Sequence, residues 1–578
     1  MAEGPKRRLI LLITLLAGCV VVVVIQLFKV QVVDHQFYRN WALEQQVRAV
    51  RMETPPRGVI RDREGNVLAG NAVRYAVEAA PAYIINKEAV AVELASVLHM
   101  PASHIEAALS RRGEDQQLRM WVQLAPSVSR EVGEAVMALN VGGITVRPLW
   151  QRAYPEGTLA SHTLGFTAMI TGYYGVEGYY DSMLRPEVIE YVAPVDVSSV
   201  PIPWQPIAGE LPRRGVDLEL TLQRTVQALA EEELQRSLQQ YGAEAGTIIV
   251  MDPRTFAILA MASYPTYHPE RYVELAGDPR PPFEDPAVSQ QYEPGSVFKI
   301  LTVAAALDSG MVAPHTTYND QGWIEVGGQT IRNALRRPYG VQTVEQLLVK
   351  SLNVGAAWLS RSMGPDVFYS YLQAFGVGQR TGVDLAGEVA GQLWLPEDVE
   401  HWHPSNLGTN SFGQGVAMTP LQMAAATATV ANDGARLRPH VVGRRIGPDG
   451  TVSVYRPVLV ERAISLETAR QLTEMMVSVV EDEVRLAKVD GYRVAGKSGT
   501  AQIPIPGGYS PHGTIATFVG FGPVPDPELV VLVKLDRPQT SQWAALTAAE
   551  SFSRLMSTLF TTLDIPPDGE RLVAGAGP

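Results

Sequence analysis

The first thirty residues constrain this chain most strongly, because a long apolar run follows a short basic segment there. Residues 6–8 are all basic, and in the run 9–28 only Thr14 and Gln26 are polar. Twenty helical residues span about 30 Å, which is the thickness of the hydrocarbon core of a bilayer. The basic residues predict that 1–8 stays in the cytoplasm, so the chain after this single span would lie outside the membrane.

The apolar run also contains the pattern Leu16-Ala17-Gly18-Cys19, which is typical of a lipoprotein cleavage site with Cys19 as the lipidated residue. Against this interpretation, the chain stays apolar as far as Phe28, where a processed protein would normally become polar. The length of the run therefore favours an uncleaved transmembrane anchor. Whether Cys19 is lipidated stays open, and both interpretations leave the rest of the chain outside.

Composition narrows the class of protein. A hydrophobic fraction of 46% and a charged fraction of 19% over 578 residues indicate several globular domains. The net charge of -12 gives no support to nucleic-acid binding, which normally needs a basic face. Cys19 is the only cysteine, and the pair His401 and His403 lacks a third ligand, so we expect no disulfide, no metal site and no cofactor.

The order of strand-like and helix-like patterns predicts a mixed α/β (α+β) chain of several domains. A proline-rich, polar segment at 200–214 predicts a boundary between a first domain at 29–214 and a second at 215–563, with a flexible tail at 564–578. In the first domain we expect, in chain order, a helix at 30–47, a hairpin at 57–69, helices at 89–98 and 129–139, and a strand at 144–148. In the second we expect a helix at 223–238 and strands at 217–222, 247–251, 257–261, 514–522 and 529–536.

The first chemical motif is Ser296-Val-Phe-Lys299. Pro294 and Gly295 break any preceding helix and the residues that follow are apolar, so we expect Ser296 in the first turn of a buried helix. A spacing of three places the Lys299 amine beside the Ser296 hydroxyl, which needs a neighbouring base to become a nucleophile. Lys299 is the only one of the eight lysines with a serine three positions before it. Taken alone, a chance spacing on an ordinary buried helix explains the motif equally well.

A second motif, Ser351-Leu-Asn353, opens a helix of small residues after the amphipathic segment 344–350. Taken alone, this motif is explained as a helix cap.

A third motif, Lys497-Ser498-Gly499-Thr500, follows a strand-like segment. On a strand edge the ammonium and the two hydroxyls would suit a carboxylate, and Gly499 would let a substrate backbone approach. Taken alone, this motif is explained as a solvated strand end. Chance does not explain all three motifs in the order Ser-x-x-Lys, Ser-x-Asn and Lys-Ser-Gly.

The three motifs together resemble those of penicillin-binding proteins and serine β-lactamases. From the anchor to about residue 560, the chain resembles the class B penicillin-binding proteins. The further segments that match this family are 57–69, 152–157, 160–162, 175–177, 180–181, 251–253, 258–263, 413–415, 419–422 and 518–523. Ser498 stands where the family more often has threonine, and both residues supply a hydroxyl. The resemblance implies an elongated pedestal (dimerisation-type) domain and a β-lactamase-like transpeptidase domain, an antiparallel sheet flanked by helices.

This resemblance implies a peptidoglycan D,D-transpeptidase that works through a serine acyl-enzyme. Ser296 would attack the penultimate D-alanine of a stem pentapeptide, with Lys299 as the base. Backbone N–H groups of Ser296 and Thr500 would form the oxyanion hole. β-Lactams would be trapped at this first step.

The same resemblance assigns the remaining site residues. Lys497, Ser498, Gly499 and Thr500 would bind the terminal carboxylate end of the donor, and Asn353 would bind its amide. Ser351 would relay a proton to the departing D-alanine. A side-chain amine of a second stem peptide would then form the cross-link.

The function leaves alternatives open. A D,D-carboxypeptidase uses the same motifs, and a non-enzymatic scaffold could use its pedestal to activate a polytopic glycosyltransferase of the shape, elongation, division and sporulation family, which is also the expected membrane partner. Asn353 and the compact pedestal favour the septal over the elongation branch, without deciding between them.

The polar pedestal residues Arg57, Arg61, Arg152 and Glu177 are expected to tie the pedestal to the catalytic domain by ion pairs, which we favour over contact with substrate. His162 is expected to be structural.

Overall fold

The computed structural model describes residues 4–38, 41, 47–51, 55–113, 117–187, 190–194, 213–505 and 507–569. The chain forms two units, and neither is continuous in sequence. Unit 1 comprises 1–55, 74–150 and 186–214, and unit 2 comprises 56–73, 151–185 and 215–578. The predicted boundary segment 200–214 lies mostly outside the described residues. Of the expected helix at 30–47, residues 39–40 and 42–46 lie outside them, whereas 30–33 and 35–38 are described and helical. The predicted continuous domain boundaries therefore stay a prediction.

The β-strands are, in chain order, β1 (Val47–Arg51), β2 (Ile60–Arg61), β3 (Val67–Ala79), β4 (Val122–Val128), β5 (Ile144–Ala153), β6 (Phe166–Ala168), β7 (Thr171–Tyr173), β8 (Glu190–Pro194), β9 (Asp217–Leu220), β10 (Ala245–Met251), β11 (Ile258–Tyr264), β12 (Thr317–Asp320), β13 (Trp323–Val326), β14 (Gln329–Arg332), β15 (Gly340–Thr343), β16 (Ala435–Leu437), β17 (Val442–Ile446), β18 (Val452–Val454), β19 (Leu459–Arg462), β20 (Ala495–Ile505), β21 (Gly508–Gly522) and β22 (Leu529–Asp536).

The α-helices are α1 (Gly4–Phe28), α2 (Lys87–Leu98), α3 (Ala102–Leu109), α4 (Arg130–Ala138), α5 (Ser161–Leu164), α6 (Gly175–Tyr179), α7 (Asp181–Leu184), α8 (Arg224–Tyr241), α9 (Tyr272–Leu275), α10 (Pro286–Ser289), α11 (Lys299–Asp308), α12 (Val344–Val349), α13 (Asn353–Ala374), α14 (Asn406–Thr409), α15 (Pro420–Ala431), α16 (Leu466–Ser478) and α17 (Ala548–Thr562). Short 3₁₀ turns are Pro81–Tyr83, Pro269–Arg271, Gly295–Phe298, Asn410–Phe412, Arg485–Ala487 and Ala544–Leu546, and π-helical turns are Lys29–Val33 and Val479–Glu483.

Unit 1 carries the apolar N-terminal helix and a small core of its own. Arg8–Val33 is the one helix in the described part that is long and apolar enough to cross a membrane. The small core is built where the second half of β3 pairs with β4 and where α2, α3 and α4 bury apolar side chains. These buried side chains include Val77, Leu94, Ile105 and Val136.

Unit 2 is organised around a five-stranded antiparallel sheet with the order β11-β10-β22-β21-β20. Helices α8 and α17 pack together against this sheet, and so do α15 and α16. Because every residue from Leu529 to Leu535 is buried, both faces of the sheet are covered. This architecture confirms the expected antiparallel sheet flanked by helices, and it leaves β20 as one edge of the sheet.

The predicted elements of unit 2 agree with the structure to within a few residues at most ends. Strand β22 has the predicted bounds, whereas β21 starts at Gly508 rather than at 514. The predicted hairpin at 57–69 forms between β2 and β3, with Ile60 paired to Ala69. Asp62 closes its turn by accepting the Asn66 backbone N–H at 2.8 Å.

The predicted ion pairs of the pedestal form, but they join different segments from those expected. Glu177 is fully buried and receives the Arg57 Nε at 2.7 Å and the Arg152 Nε at 2.6 Å. All three residues belong to segments of unit 2, so the ion pairs tie those segments to each other. Arg61 donates to the Gly65 carbonyl at 3.2 Å and makes no ion pair with a described residue. His162 is buried edge-on against Tyr267, which agrees with a structural histidine.

We predict that Glu177→Gln lowers the free energy of unfolding by about 3 kcal/mol or more, because it leaves two buried guanidinium groups without their shared anion. The measurement is denaturant unfolding of the purified full chain. Glu232→Gln is the control, since Glu232 pairs with Arg236 on an exposed surface of unit 2 and should change stability by less than about 1 kcal/mol. Equal effects of the two substitutions would contradict the structural role of Glu177.

Candidate active site

The nucleophile candidate Ser296 lies in a 3₁₀ turn, Gly295–Phe298, that leads directly into α11. The expected first helical turn is therefore a 3₁₀ turn, and the α-helix begins at Lys299. Gly295 has a φ of +60°, a conformation that glycine adopts without strain. The turn places the half-buried Ser296 side chain above the fully buried start of α11.

Lys299 is 0% exposed, and its amine is the centre of the site. Its Nζ lies 3.2 Å from the Ser296 hydroxyl, as the spacing of three predicts. The same Nζ donates to the Ser351 carbonyl at 2.6 Å and to the Asn353 Oδ1 at 2.7 Å, and it lies 3.2 Å from the Ser351 hydroxyl. The first two motifs therefore meet at one nitrogen.

The second motif forms the tight connection between α12 and α13. Ser351 has a φ of +56°, which is unusual for a residue other than glycine and is typical of functional sites. This conformation accompanies the short contact of its carbonyl with Lys299. Asn353 starts α13, and its Nδ2 donates to the Arg332 carbonyl at 3.1 Å.

The third motif lies on β20, the edge strand of the sheet. Lys497 is 1% exposed, and its Nζ donates to the Ser351 hydroxyl and to the Ser498 carbonyl at 3.2 and 3.0 Å. The Thr500 hydroxyl accepts the Ala544 backbone N–H at 3.0 Å. Hydrogen bonds thus connect all three motifs through Ser296, Lys299, Ser351, Asn353 and Lys497. Ser498 and Thr500 line the same cavity.

The structure gives a reason for glycine at 499 besides the expected approach of a substrate backbone. A Cβ at this position would lie 2.8 Å from the Val297 nitrogen and 2.9 Å from the Pro294 carbonyl oxygen. The backbone that approaches Gly499 closely is therefore the protein's own turn at Ser296, since a side chain would push that turn away from β20.

Burial controls the charge of both lysines. Burial, and next the ammonium of Lys497, hold the pKa of Lys299 well below its usual range. Burial also lowers the pKa of Lys497 to about 8, and the Glu483 carboxylate opposes that shift. At neutral pH Lys497 is therefore mostly a charged ammonium, and burial favours the neutral form of Lys299.

The site opens into a cavity of about 650 Å³. Besides the predicted residues, it is lined by side chains that sequence reasoning did not assign, among them Arg337, Tyr339, Gln414, Glu483, Trp543 and Leu546. Gln414 lies within the segment 413–415 that resembled the family, which was a usable signal. The other five stand in no recognised motif. In the part of the chain that the structure describes, no cluster of side chains is suited to a metal ion.

Comparison with known proteins agrees with this architecture. Residues 246–557 match the family model of the penicillin-binding protein transpeptidase domain, and 52–220 match that of the penicillin-binding protein dimerisation domain. Stage V sporulation protein D of Bacillus subtilis is 33% identical over 96% of this chain and 86% of its own length. The probable peptidoglycan D,D-transpeptidase PbpC of Pseudomonas aeruginosa is 30% identical over 98% of this chain and 97% of its own.

Solved structures agree as well. A peptidoglycan synthetase from Bifidobacterium adolescentis has a TM-score of 0.72 and 28% identity, covering 90% of this chain and 98% of its own. Penicillin-binding protein 3 from Mycobacterium tuberculosis, complexed with aztreonam, has a TM-score of 0.69 and 27% identity over 89% of this chain and 98% of its own. The chain belongs to the class B penicillin-binding proteins, in which a dimerisation domain accompanies a transpeptidase domain.

We predict that the stability of the native chain, relative to Lys497→Met, rises with pH above about 8. In the unfolded chain Lys497 keeps its proton up to its ordinary pKa of 10.5, whereas the folded protein releases it near 8. Between these values the unfolded state binds more protons, so the stability difference grows by roughly 1 kcal/mol per pH unit. Denaturant unfolding at a series of pH values measures this difference.

Lys350→Met is the control for that experiment, because Lys350 lines the same cavity with an exposed side chain. The free energy of unfolding of Lys350→Met should change with pH in parallel with that of the native chain. Parallel curves for the native chain and Lys497→Met would contradict the effect of burial.

Proposed function

We propose that this chain is a serine D,D-transpeptidase that cross-links peptidoglycan stem peptides outside the cytoplasmic membrane and is acylated by β-lactams. The observation that carries the proposal is the position of the Lys299 Nζ, 3.2 Å from the Ser296 hydroxyl. A neutral amine has two N–H groups and one lone pair. Because the Ser351 carbonyl and the Asn353 Oδ1 accept the two N–H groups, the lone pair is left for the proton of Ser296.

In the acylation step, the Ser296 oxygen attacks the carbonyl carbon of the penultimate D-alanine and its proton passes to Lys299. The backbone N–H groups of Ser296 and Thr500 stabilise the oxyanion. The position of β20 supports this role of Thr500, since an edge strand leaves alternate N–H groups without a partner in the sheet.

Donor binding uses the far side of the cavity. Lys497 supplies the charge for the terminal carboxylate, and Ser498 and Thr500 donate hydrogen bonds to it. The Thr500 hydroxyl accepts a backbone N–H, so its own proton is still available. Asn353 uses one amide proton on the Arg332 carbonyl and keeps the second for the donor's amide oxygen.

Ser351 completes the first half of the reaction. Its hydroxyl lies 3.2 Å from both the Lys299 and the Lys497 nitrogens, which suits a proton relay from Lys299 to the departing D-alanine amine. The C–N bond breaks and the acyl group stays on Ser296. A side-chain amine of a second stem peptide then attacks the ester, and Ser296 recovers its proton.

Location and partner complete the proposal. The apolar helix with its basic flank supports a single membrane pass with the catalytic unit outside. The dimerisation domain next to this anchor suits docking to a polytopic glycosyltransferase of the shape, elongation, division and sporulation family.

Two other functions predict different products. A D,D-carboxypeptidase would release D-alanine to water even when an amine acceptor is present, whereas a transpeptidase forms a new amide. A scaffold would support glycan polymerisation by its partner even in a catalytically dead variant. The intact constellation of Ser296 and Lys299 favours an enzyme over the scaffold, and the relatives named peptidoglycan D,D-transpeptidases favour the transpeptidase over the carboxypeptidase.

The cellular process is division, elongation or sporulation. One relative is a sporulation protein, and the Escherichia coli relative FtsI, 28% identical over 91% of this chain, is a peptidoglycan D,D-transpeptidase. We favour the septal branch because of Asn353 and the compact pedestal. Fluorescent penicillin that labels the whole cell cylinder rather than the septum would contradict that choice.

We predict that benzylpenicillin adds one penicilloyl group to the native chain and none to Ser296→Ala, because the hydroxyl that forms the ester is absent. Intact-mass spectrometry measures the adduct. Ser309→Ala, at the other end of α11, is the control and should retain it. An adduct on Ser296→Ala would refute the nucleophile.

A further inference from the structure

We propose that Glu483 receives the cationic amine of the acceptor peptide, the second substrate of the reaction. This inference rests on the proposed function, because it assigns a binding residue for that substrate in the same cavity. Among the described residues that line the cavity, Glu483 is the only one with an acidic side chain. The other charged residues there, including Arg337, Lys350 and Lys497, are basic.

The position of Glu483 is fixed by an unusual turn. Helix α16 continues into the π-helical turn Val479–Glu483, which the Val484 backbone N–H closes on the Val479 carbonyl at 2.9 Å. Such π-turns are rare and occur frequently at functional sites. This turn packs against β20 and α12, so the same strand carries Lys497 and supports Glu483.

The Glu483 carboxylate is available to a ligand. Its neighbour Glu481 forms an ion pair with Lys488. Among the described residues, Glu483 makes no hydrogen bond and no ion pair, and its side chain is exposed to the cavity. Its charge raises the pKa of Lys497 against the effect of burial, which places the two side chains within electrostatic range.

The chemistry of the second step favours an acid in this cavity. The acceptor nitrogen must arrive where the D-alanine nitrogen departed, beside Ser351 and Lys497, because aminolysis of the ester reverses the geometry of acylation. An aliphatic amine is an ammonium ion at neutral pH, and the ammonium of Lys497 would repel it. Glu483 offsets that repulsion and attracts the acceptor.

The ammonium of the acceptor, held by Glu483, loses one proton to solvent. Its neutral nitrogen forms a bond to the acyl carbon while the bond from that carbon to the Ser296 oxygen breaks. The second proton of the nitrogen passes through Lys299 to the Ser296 oxygen.

The test compares the two half-reactions of the full chain. Acylation is measured with benzylpenicillin. Partition between transfer and hydrolysis is measured by mass spectrometry with an N-acylated D-alanyl-D-alanine donor and two acceptor peptides, one with lysine and one with diaminopimelate. In Glu483→Gln we expect acylation within about twofold of the native rate, a transfer-to-hydrolysis ratio lower by about tenfold and a raised KM for the acceptor.

Salt and a neighbouring charge supply the controls. Added salt should lower the native transfer-to-hydrolysis ratio, because it screens the attraction to Glu483, and it should not lower that of Glu483→Gln, in which only the repulsion by Lys497 is left to be screened. Asp482→Asn removes a charge from the same turn but not from the cavity wall, so it should behave as the native chain does.

Each remaining result overturns a specific statement. An unchanged ratio in Glu483→Gln overturns the inference. An equal loss in acylation also overturns it, because penicillin carries a carboxylate and such a loss would show that Glu483 acts through the charge of Lys497. Native protein that acylates but transfers to neither acceptor overturns it in favour of a carboxypeptidase. Native protein without a penicilloyl adduct on Ser296 overturns the proposed function, and the inference with it.

Discussion

The site depends on the burial of one amine. The Lys299 Nζ is removed from solvent and is bonded to the Ser351 carbonyl and the Asn353 Oδ1. A buried polar group needs such partners, and a buried charge would cost far more, so burial shifts the pKa of this lysine downward and favours the neutral amine. Because Lys299 needs these partners, the turn at 351–353 packs against α11. The Ser351 hydroxyl of the same turn accepts a hydrogen bond from the Lys497 Nζ. Hydrogen bonds to one buried nitrogen therefore bring together segments that are distant in sequence.

Close backbone packing holds this assembly in place. Gly499 lets β20 lie against the Ser296 turn on one side. On the other side, a Cβ at Gly413 would lie 2.3 Å from the Gly295 carbonyl oxygen, so that position also has no room for a side chain. The Gly295 N–H donates to the Gly413 carbonyl at 3.2 Å. The nucleophile is thus fixed between two backbone segments, which favours a preorganised site over a mobile one.

The sequence predicted the parts of this arrangement that depend on local spacing. The interval between Ser296 and Lys299, the hydroxyls of β20 and the strands of the sheet all follow from periodicity or from short motifs. What depends on tertiary packing was not predictable in this way. The π-turn that carries Glu483 has no local signal, and Trp543 reaches the cavity only through the fold of the segment after β22. The spatial units also interleave: 56–73 and 151–185 belong to unit 2, and buried ion pairs that no local pattern specifies tie these two segments to each other.

The most direct test of the account is the charge state of Lys299 itself. Carbon-13 NMR of the full chain with lysine labelled at Cε can follow its titration, since the chain has only eight lysines and Lys299→Arg would assign the resonance. The account predicts that the Lys299 resonance titrates well below the ordinary lysine value of 10.5. A Lys299 resonance that titrates only at that ordinary value would contradict a neutral base beside Ser296.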